Sequence, residues 1–131
     1  MIFVDTSAWY ALYSRRDANH SAAAIAVRSF QDPLVTSDYV VDETLTLLRA
    51  RGENARAIAF GRRMMAGRTV RVLRIEDQDF ADAWNIFHGF QDKEWSFTDC
   101  TSRVVMQRLG IQYAFTFDDH FRQFGIVTIL P

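Results

Sequence analysis

The sequence predicts a three-layer α/β/α fold around a five-stranded parallel sheet. Short runs of β-branched and aromatic residues alternate with longer amphipathic segments, and breakers or polar residues bound each run. No repeat, low-complexity tract or linker divides the chain. Strands separated by helices pair in parallel through right-handed crossovers, which place helices on both faces of the sheet.

The strand candidates are residues 2–4, 34–36, 70–75, 113–117 and 126–130. Between them, residues 8–13 form a short helix and residues 20–31 an Ala-rich one with an apolar face. In residues 38–51, Val41, Leu45 and Leu48 fall at i, i+4 and i+7, and Gly52 sits where a helix stops. Helices over 54–66 and 77–90 follow, then one over 98–109 that stops at Gly110, and a single turn over 119–124.

The 131 residues, 49% apolar and 24% charged, fit one domain that needs neither disulfide nor structural metal to fold. No apolar run approaches the roughly 20 residues that span a bilayer. The N-terminus carries no basic segment, and Asp5 interrupts its apolar residues, so no secretory signal is expected. The single cysteine, Cys100, has no partner within the chain, and a cytoplasmic location is the natural reading. Charge is segregated. Eight arginines face one acid between positions 49 and 74, whereas seven acids face one lysine between 76 and 99. Arg suits phosphate and base contacts and equally suits surface ion pairs. Arg49 and Arg51 are the candidates for holding phosphate.

With strands one to three building outward on one side and four and five on the other, the order reverses between strands one and four. Ligands in open α/β sheets bind at such a switch point, outside the carboxyl ends of the strands. Asp5 ends the first strand and Asp118 the fourth, so two carboxylates face each other across that crevice. Each acid also has a structural reading. Asp5 and Asp118 are placed to cap helical turns, and Ser96-Phe97-Thr98-Asp99 is a capping-box pattern. Glu43 lies one turn inside a helix, about 40° from Leu47 on the wheel, and Asp42 lies about 60° from Leu45 on the other flank. Periodicity leans to Glu43 as the inward residue and leaves Asp42 open. Gathered in one crevice, such acids repel unless a cation neutralises them. All-oxygen donors point to Mg²⁺ or Mn²⁺, and one Cys with three scattered His does not make a zinc site.

The stretches VDTSAW around Asp5, VVDETLTLLRARG around Glu43, SFTDC around Asp99 and FTFDDHF around Asp118 occur in an order and spacing that resembles the PIN-domain nucleases. Within them the chain resembles the VapC-type toxins of prokaryotic toxin–antitoxin pairs. The resemblance covers residues 1–131 as a single domain and implies strand order 3-2-1-4-5. It implies Mg²⁺-dependent cleavage of RNA phosphodiesters, with Mn²⁺ as the alternative ion, and catalytic, metal-holding roles for Asp5, Glu43, Asp99 and Asp118. Asp5 and Asp99 are the leading direct ligands. Thr6 and Thr98 are candidates for supporting hydroxyls, with helix-start hydrogen bonding as their ordinary role. The resemblance also implies a cognate VapB-like antitoxin, seated in a groove beside Trp9, Tyr10 and Tyr13, and a homodimer, for which the apolar residues of the third and fifth helices are the candidate contact. His120 stands two residues from Asp118, within reach of the site, with a helix-turn role favoured. His20 and His88 are read as surface or packing residues, and Cys100 as buried. The competing classes are a non-catalytic PIN-like module that binds RNA or protein, and a stand-alone PIN nuclease without an antitoxin. The filled acid set favours the enzyme.

Overall fold

A computed structural model describes residues 1–125 and 127–131. Five parallel strands, β1 (Ile2–Val4), β2 (Leu34–Ser37), β3 (Val70–Leu73), β4 (Tyr113–Phe115) and β5 (Thr128–Leu130), lie in the order β3-β2-β1-β4-β5. Helices α1 (Thr6–Tyr13), α2 (His20–Ser29), α3 (Asp38–Ala50), α4 (Asn54–Ala66), α5 (Asp77–Gly89) and α6 (Phe97–Leu109) flank the sheet. A 3₁₀ turn, Asp119–Phe124, precedes β5. The first residue of the fifth strand candidate, Ile126, lies outside the described residues.

The central strand β1 is buried along its length, as a parallel strand covered on both faces must be. Its register pairs Phe3 in parallel with Val35 of β2 and with Ala114 of β4, so the order in which strands are added reverses between β1 and β4. Helix starts follow local chemistry. Ser37 Oγ accepts from Val40 N–H (3.2 Å) to open α3. Glu76 and Asp79 form a capping box on α5, and Ser96 and Asp99 another on α6. Helices α4 and α6 end on Gly67 and Gly110 in the left-handed conformation, at φ +62° and +66°.

Two strands stop earlier than the sequence pattern. β3 ends at Leu73 because the Ile75 N–H leaves the ladder and donates to Asp38 Oδ1 (3.1 Å). β4 ends at Phe115 because the next residues turn their N–H groups onto side chains: Phe117 N–H donates to Ser7 Oγ (2.9 Å) and Asp118 N–H to Thr116 Oγ1 (3.0 Å). Asp118 therefore sits three residues beyond β4. The aromatic cluster of α1 is also more deeply placed than its density suggested. Trp9 is 0% and Tyr10 7% exposed, and Tyr13 packs edge-on against Phe60 at 5.3 Å. Phe60 of α4 supplies the second wall that a single helix face lacks, so Trp9 and Tyr10 belong to the core and Tyr13 is partly buried against it.

Between α5 and α6, Asp79 is 1% exposed and accepts two bonds from Arg108, at 2.8 and 2.9 Å. Removing only the cation strands a buried carboxylate. Arg108→Ala should lower the unfolding free energy by about 3 kcal/mol in urea titrations. Pairing it with Asp79→Ala should recover part of that loss, because no buried charge then remains.

Candidate active site

The crevice forms at the carboxyl edge of the sheet, where β1 and β4 part. Asp5 follows β1 directly and serves as N-cap of α1. Its Oδ2 accepts from Ser7 N–H (3.4 Å), Ser7 Oγ (3.0 Å) and Thr116 Oγ1 (2.9 Å). Ser7 and Thr116 also lie 3.0 Å from each other, and Ser7 Oγ accepts from Phe117 N–H. This hydroxyl network ties the loop after β4 to the start of α1 and fixes the Asp5 carboxylate.

Asp99 stands in the first turn of α6. Its Oδ2 accepts from the Ser96 N–H (3.0 Å) in the capping box. Asp118 caps the 3₁₀ turn, with Oδ1 accepting from His120 N–H (2.9 Å). The charge of Glu43, in the second turn of α3, acts on Asp99. Asp42 is exposed and lines a separate cleft with Asp38, Met64 and Arg74, so the helix turns Glu43 to the acid crevice and Asp42 away from it. The structure thus brings Asp5, Glu43, Asp99 and Asp118 into one neighbourhood.

Two hydroxyls beyond those singled out from the sequence support Asp5. Ser7 and Thr116 reach Asp5. Thr6 Oγ1 is buried with no hydrogen-bond partner among the described residues, and the Thr98 carbonyl accepts from Thr101 Oγ1 (2.7 Å). Thr116 had no local signal, since it reaches Asp5 only through the pairing of β1 with β4. His120 is a further arrival. Its Nδ1 lies 3.4 Å from Asp118 Oδ1 and 3.7 Å from Asp99 Oδ2. The D-x-H spacing after β4 was the available signal. Arg49 and Arg51 lie at the other end of α3, with Arg51 about 12 Å along the axis from Glu43. Arg49 donates to Asn54 Oδ1 (2.8 Å), and the Arg51 guanidinium covers the Tyr10 ring at 4.7 Å.

Electrostatics mark the crevice. Burial, reinforced by the Asp99 charge, pushes the Asp5 carboxyl up to about 7 against the pull of the Thr116, Thr6 and Ser7 donors. Burial raises Asp99 to about 6, with the Asp118 and Glu43 charges adding to it. No Lys or Arg pairs with these four acids within 4 Å among the described residues. A crevice of carboxylates without a paired Lys or Arg fits a hard divalent cation. Cys100 is buried, and its thiol is pushed up to about 11 by burial and the Asp99 charge, which leaves it unsuited to nucleophilic work.

Residues 2–127 match the PIN domain family model. The chain belongs to the PIN-domain family and, within it, to the VapC-type ribonucleases. It is 39% identical over its whole length to the 23S rRNA-specific endonuclease VapC20 of Mycobacterium tuberculosis, covering 99% of that protein. The crystal structure of VapC20, described as a sarcin-ricin loop cleaving toxin, superposes with a TM-score of 0.94 at 36% identity, with both chains fully covered. A VapC ribonuclease of Archaeoglobus fulgidus is 26% identical over 90% of this chain and 77% of its own. A toxin–antitoxin complex from Klebsiella pneumoniae, at 18% identity and a TM-score of 0.68 over 100% of this chain and 97% of its own, shares the fold.

The raised carboxyls have a stability consequence. A carboxyl with a higher pKa folded than unfolded binds more protons in the folded state between the two values, so stability falls as pH rises there. For Asp5 that window runs from 3.8 to about 7. In EDTA, the melting midpoint should fall between pH 5 and pH 8. Asp5→Asn should flatten the fall and melt above the parent at pH 8, as read by thermal denaturation.

Proposed function

We propose that this protein is a Mg²⁺-dependent endoribonuclease toxin, with Mn²⁺ as a substitute ion, that cuts ribosomal RNA in the cytoplasm and is restrained by a cognate VapB-like antitoxin. The observation that carries the reading is the gathering of Asp5, Glu43, Asp99 and Asp118 at the switch point with no Lys or Arg paired to them among the described residues. Full-length identity of 39% to an endonuclease specific for 23S rRNA supports that RNA as substrate. The relative's description as a toxin supports an antitoxin partner. No helix among the described residues is long and apolar enough to cross a membrane.

An RNA phosphodiester is anionic, and a bare carboxylate crevice repels it. A hard divalent cation supplies the missing positive charge, lowers the pKa of water and stabilises charge developing at phosphorus. Asp5 and Asp99 are the residues to hold it. The donors on Asp5 Oδ2 fix that carboxylate, and the Ser96 N–H fixes Asp99. Glu43, on a different helix, orients the attacking water, and Asp118 closes the crevice from the β4 side. In-line attack breaks the bond from phosphorus to the 3′ oxygen and leaves a 5′-phosphate and a 3′-hydroxyl.

A homodimer through α3 and α5 belongs to the same reading. Phe80, Trp84 and Phe87 of α5 are 49%, 52% and 43% exposed, at i, i+4 and i+7. Phe80 also lies 6.5 Å from Tyr39 of α3 and 5.0 Å from Phe97. Contiguous exposed aromatics of this kind mark a protein contact. Glu76, Asp77 and Asp82 nearby make it a poor surface for RNA. For the antitoxin, a second open apolar surface is the groove of about 510 Å³ between α3 and α4. Its floor holds Leu45, Ala57, Ile58 and Gly61, and its rim carries Arg49 and Arg62, which suits an acidic amphipathic segment.

With ribosomal RNA and Mg²⁺ or Mn²⁺, the parent should cut, and Asp5→Asn or Asp99→Asn should lower the rate by about a hundredfold or more while circular dichroism stays unchanged. Cleavage that survives excess EDTA overturns the reading. Trp84→Glu should convert a dimer to a monomer in light scattering, since it buries a charge in the aromatic contact.

A further inference from the structure

The three histidines use their Nδ1 atoms differently. His20 Nδ1 lies 2.7 Å from the Ala11 carbonyl and His88 Nδ1 2.7 Å from the Trp84 carbonyl. Each of those nitrogens is spent on a backbone acceptor, so it must carry the proton. His120 Nδ1 faces no carbonyl within hydrogen-bond distance among the described residues. It faces two carboxylate oxygens, Asp118 Oδ1 at 3.4 Å and Asp99 Oδ2 at 3.7 Å. One ligand atom from each of Asp99, Asp118 and His120 lies within 4.8 Å of the others.

These separations are too long for strong direct hydrogen bonds. They are near the spacing of neighbouring ligands on one ion, since two atoms at about 2.1 Å and a right angle stand about 3 Å apart. The side chain is also held for the task. Phe121, the next residue, is fully buried, and Phe124 packs on Trp95 at 5.2 Å, just before the capping box that carries Asp99. The 3₁₀ turn is thereby pinned to the start of α6, and His120 projects between the two acids it links.

We propose that His120 is a metal ligand of this crevice, binding through Nδ1 beside Asp99 and Asp118. The assignment rests on the crevice being a cation site, and it adds a nitrogen to an otherwise all-oxygen set. Imidazole favours transition-metal ions, whereas Mg²⁺ prefers oxygen. His120 therefore biases the site toward Mn²⁺ over Mg²⁺ without excluding either.

Mn²⁺ alone, added to the full chain, serves as the probe, read by electron spin echo envelope modulation. The parent should show modulation from a directly bound ¹⁴N, replaced by a ¹⁵N pattern when histidine is isotopically labelled. His120→Ala should lose it, while His20→Gln and His88→Gln should keep it. By calorimetry, His120→Ala should weaken Mn²⁺ binding at least about tenfold and Mg²⁺ binding much less. Mn²⁺ bound to the parent without nitrogen coupling overturns the assignment and leaves the acid site standing, with His120 only an electrostatic neighbour of the acids. Mn²⁺ that does not bind the parent overturns both. The measurement on the parent decides the matter even where a variant folds poorly.

Discussion

The mutual repulsion of buried carboxylates at the β1–β4 crevice is the constraint around which this protein is organised. Asp5 is nearly inaccessible and Asp99 is little less so; the Asp99 charge raises the cost of ionising Asp5, and the Asp118 and Glu43 charges raise that of Asp99. A fold seeking only stability would place apolar residues there. Everything nearby works to hold the acids in position in spite of that cost. The Ser7–Thr116 hydroxyl pair clamps Asp5, and the Ser96 box clamps Asp99. The aromatic packing of Phe121, Phe124 and Trp95 holds the turn that carries Asp118.

Capping and catalysis are not competing explanations for these acids. Asp5 caps α1, Asp99 sits in the box that opens α6, and Asp118 caps the 3₁₀ turn. A carboxylate offers about four lone-pair sites, and a cap consumes one or two of them. The remainder point out of the helix start toward the carboxyl edge of the sheet. A helix N-terminus also favours negative charge, which partly offsets the repulsion. The same geometry that begins a helix after a parallel strand therefore delivers a carboxylate to the switch point.

The charge segregation along the chain resolves into separate surfaces. Arg49 and Arg51 are engaged by Asn54 and Tyr10 at the far end of α3, away from the acids. Arg103 packs over Phe90, Trp95 and Phe124, and Arg108 neutralises Asp79. Several arginines thus act as packing or pairing residues, which a count of charges along the sequence does not distinguish from a phosphate-binding face.

Much of this protein was determined locally and could be read from the sequence. The alternation of strand and helix patterns, the glycine stops at positions 52 and 110, and the Ser96–Asp99 box depend on neighbours within a few residues. So does the placement of Asp5 and Asp118 just beyond strands. The parallel order also follows, because right-handed crossovers leave few alternatives. Tertiary structure decided what depends on residues far apart in the chain. Thr116 reaches Asp5 across 111 positions only because β4 pairs with β1. Asp42 and Glu43 flank the same apolar stripe, and only the docking of α3 decided which one meets Asp99. Trp9 was buried and Tyr13 partly covered by Phe60 from another helix, and His120 met Asp99 because aromatic packing folds the turn after β4 onto α6. Periodicity reports which face of a helix is apolar, but the identity of what that face meets is a property of the assembled core.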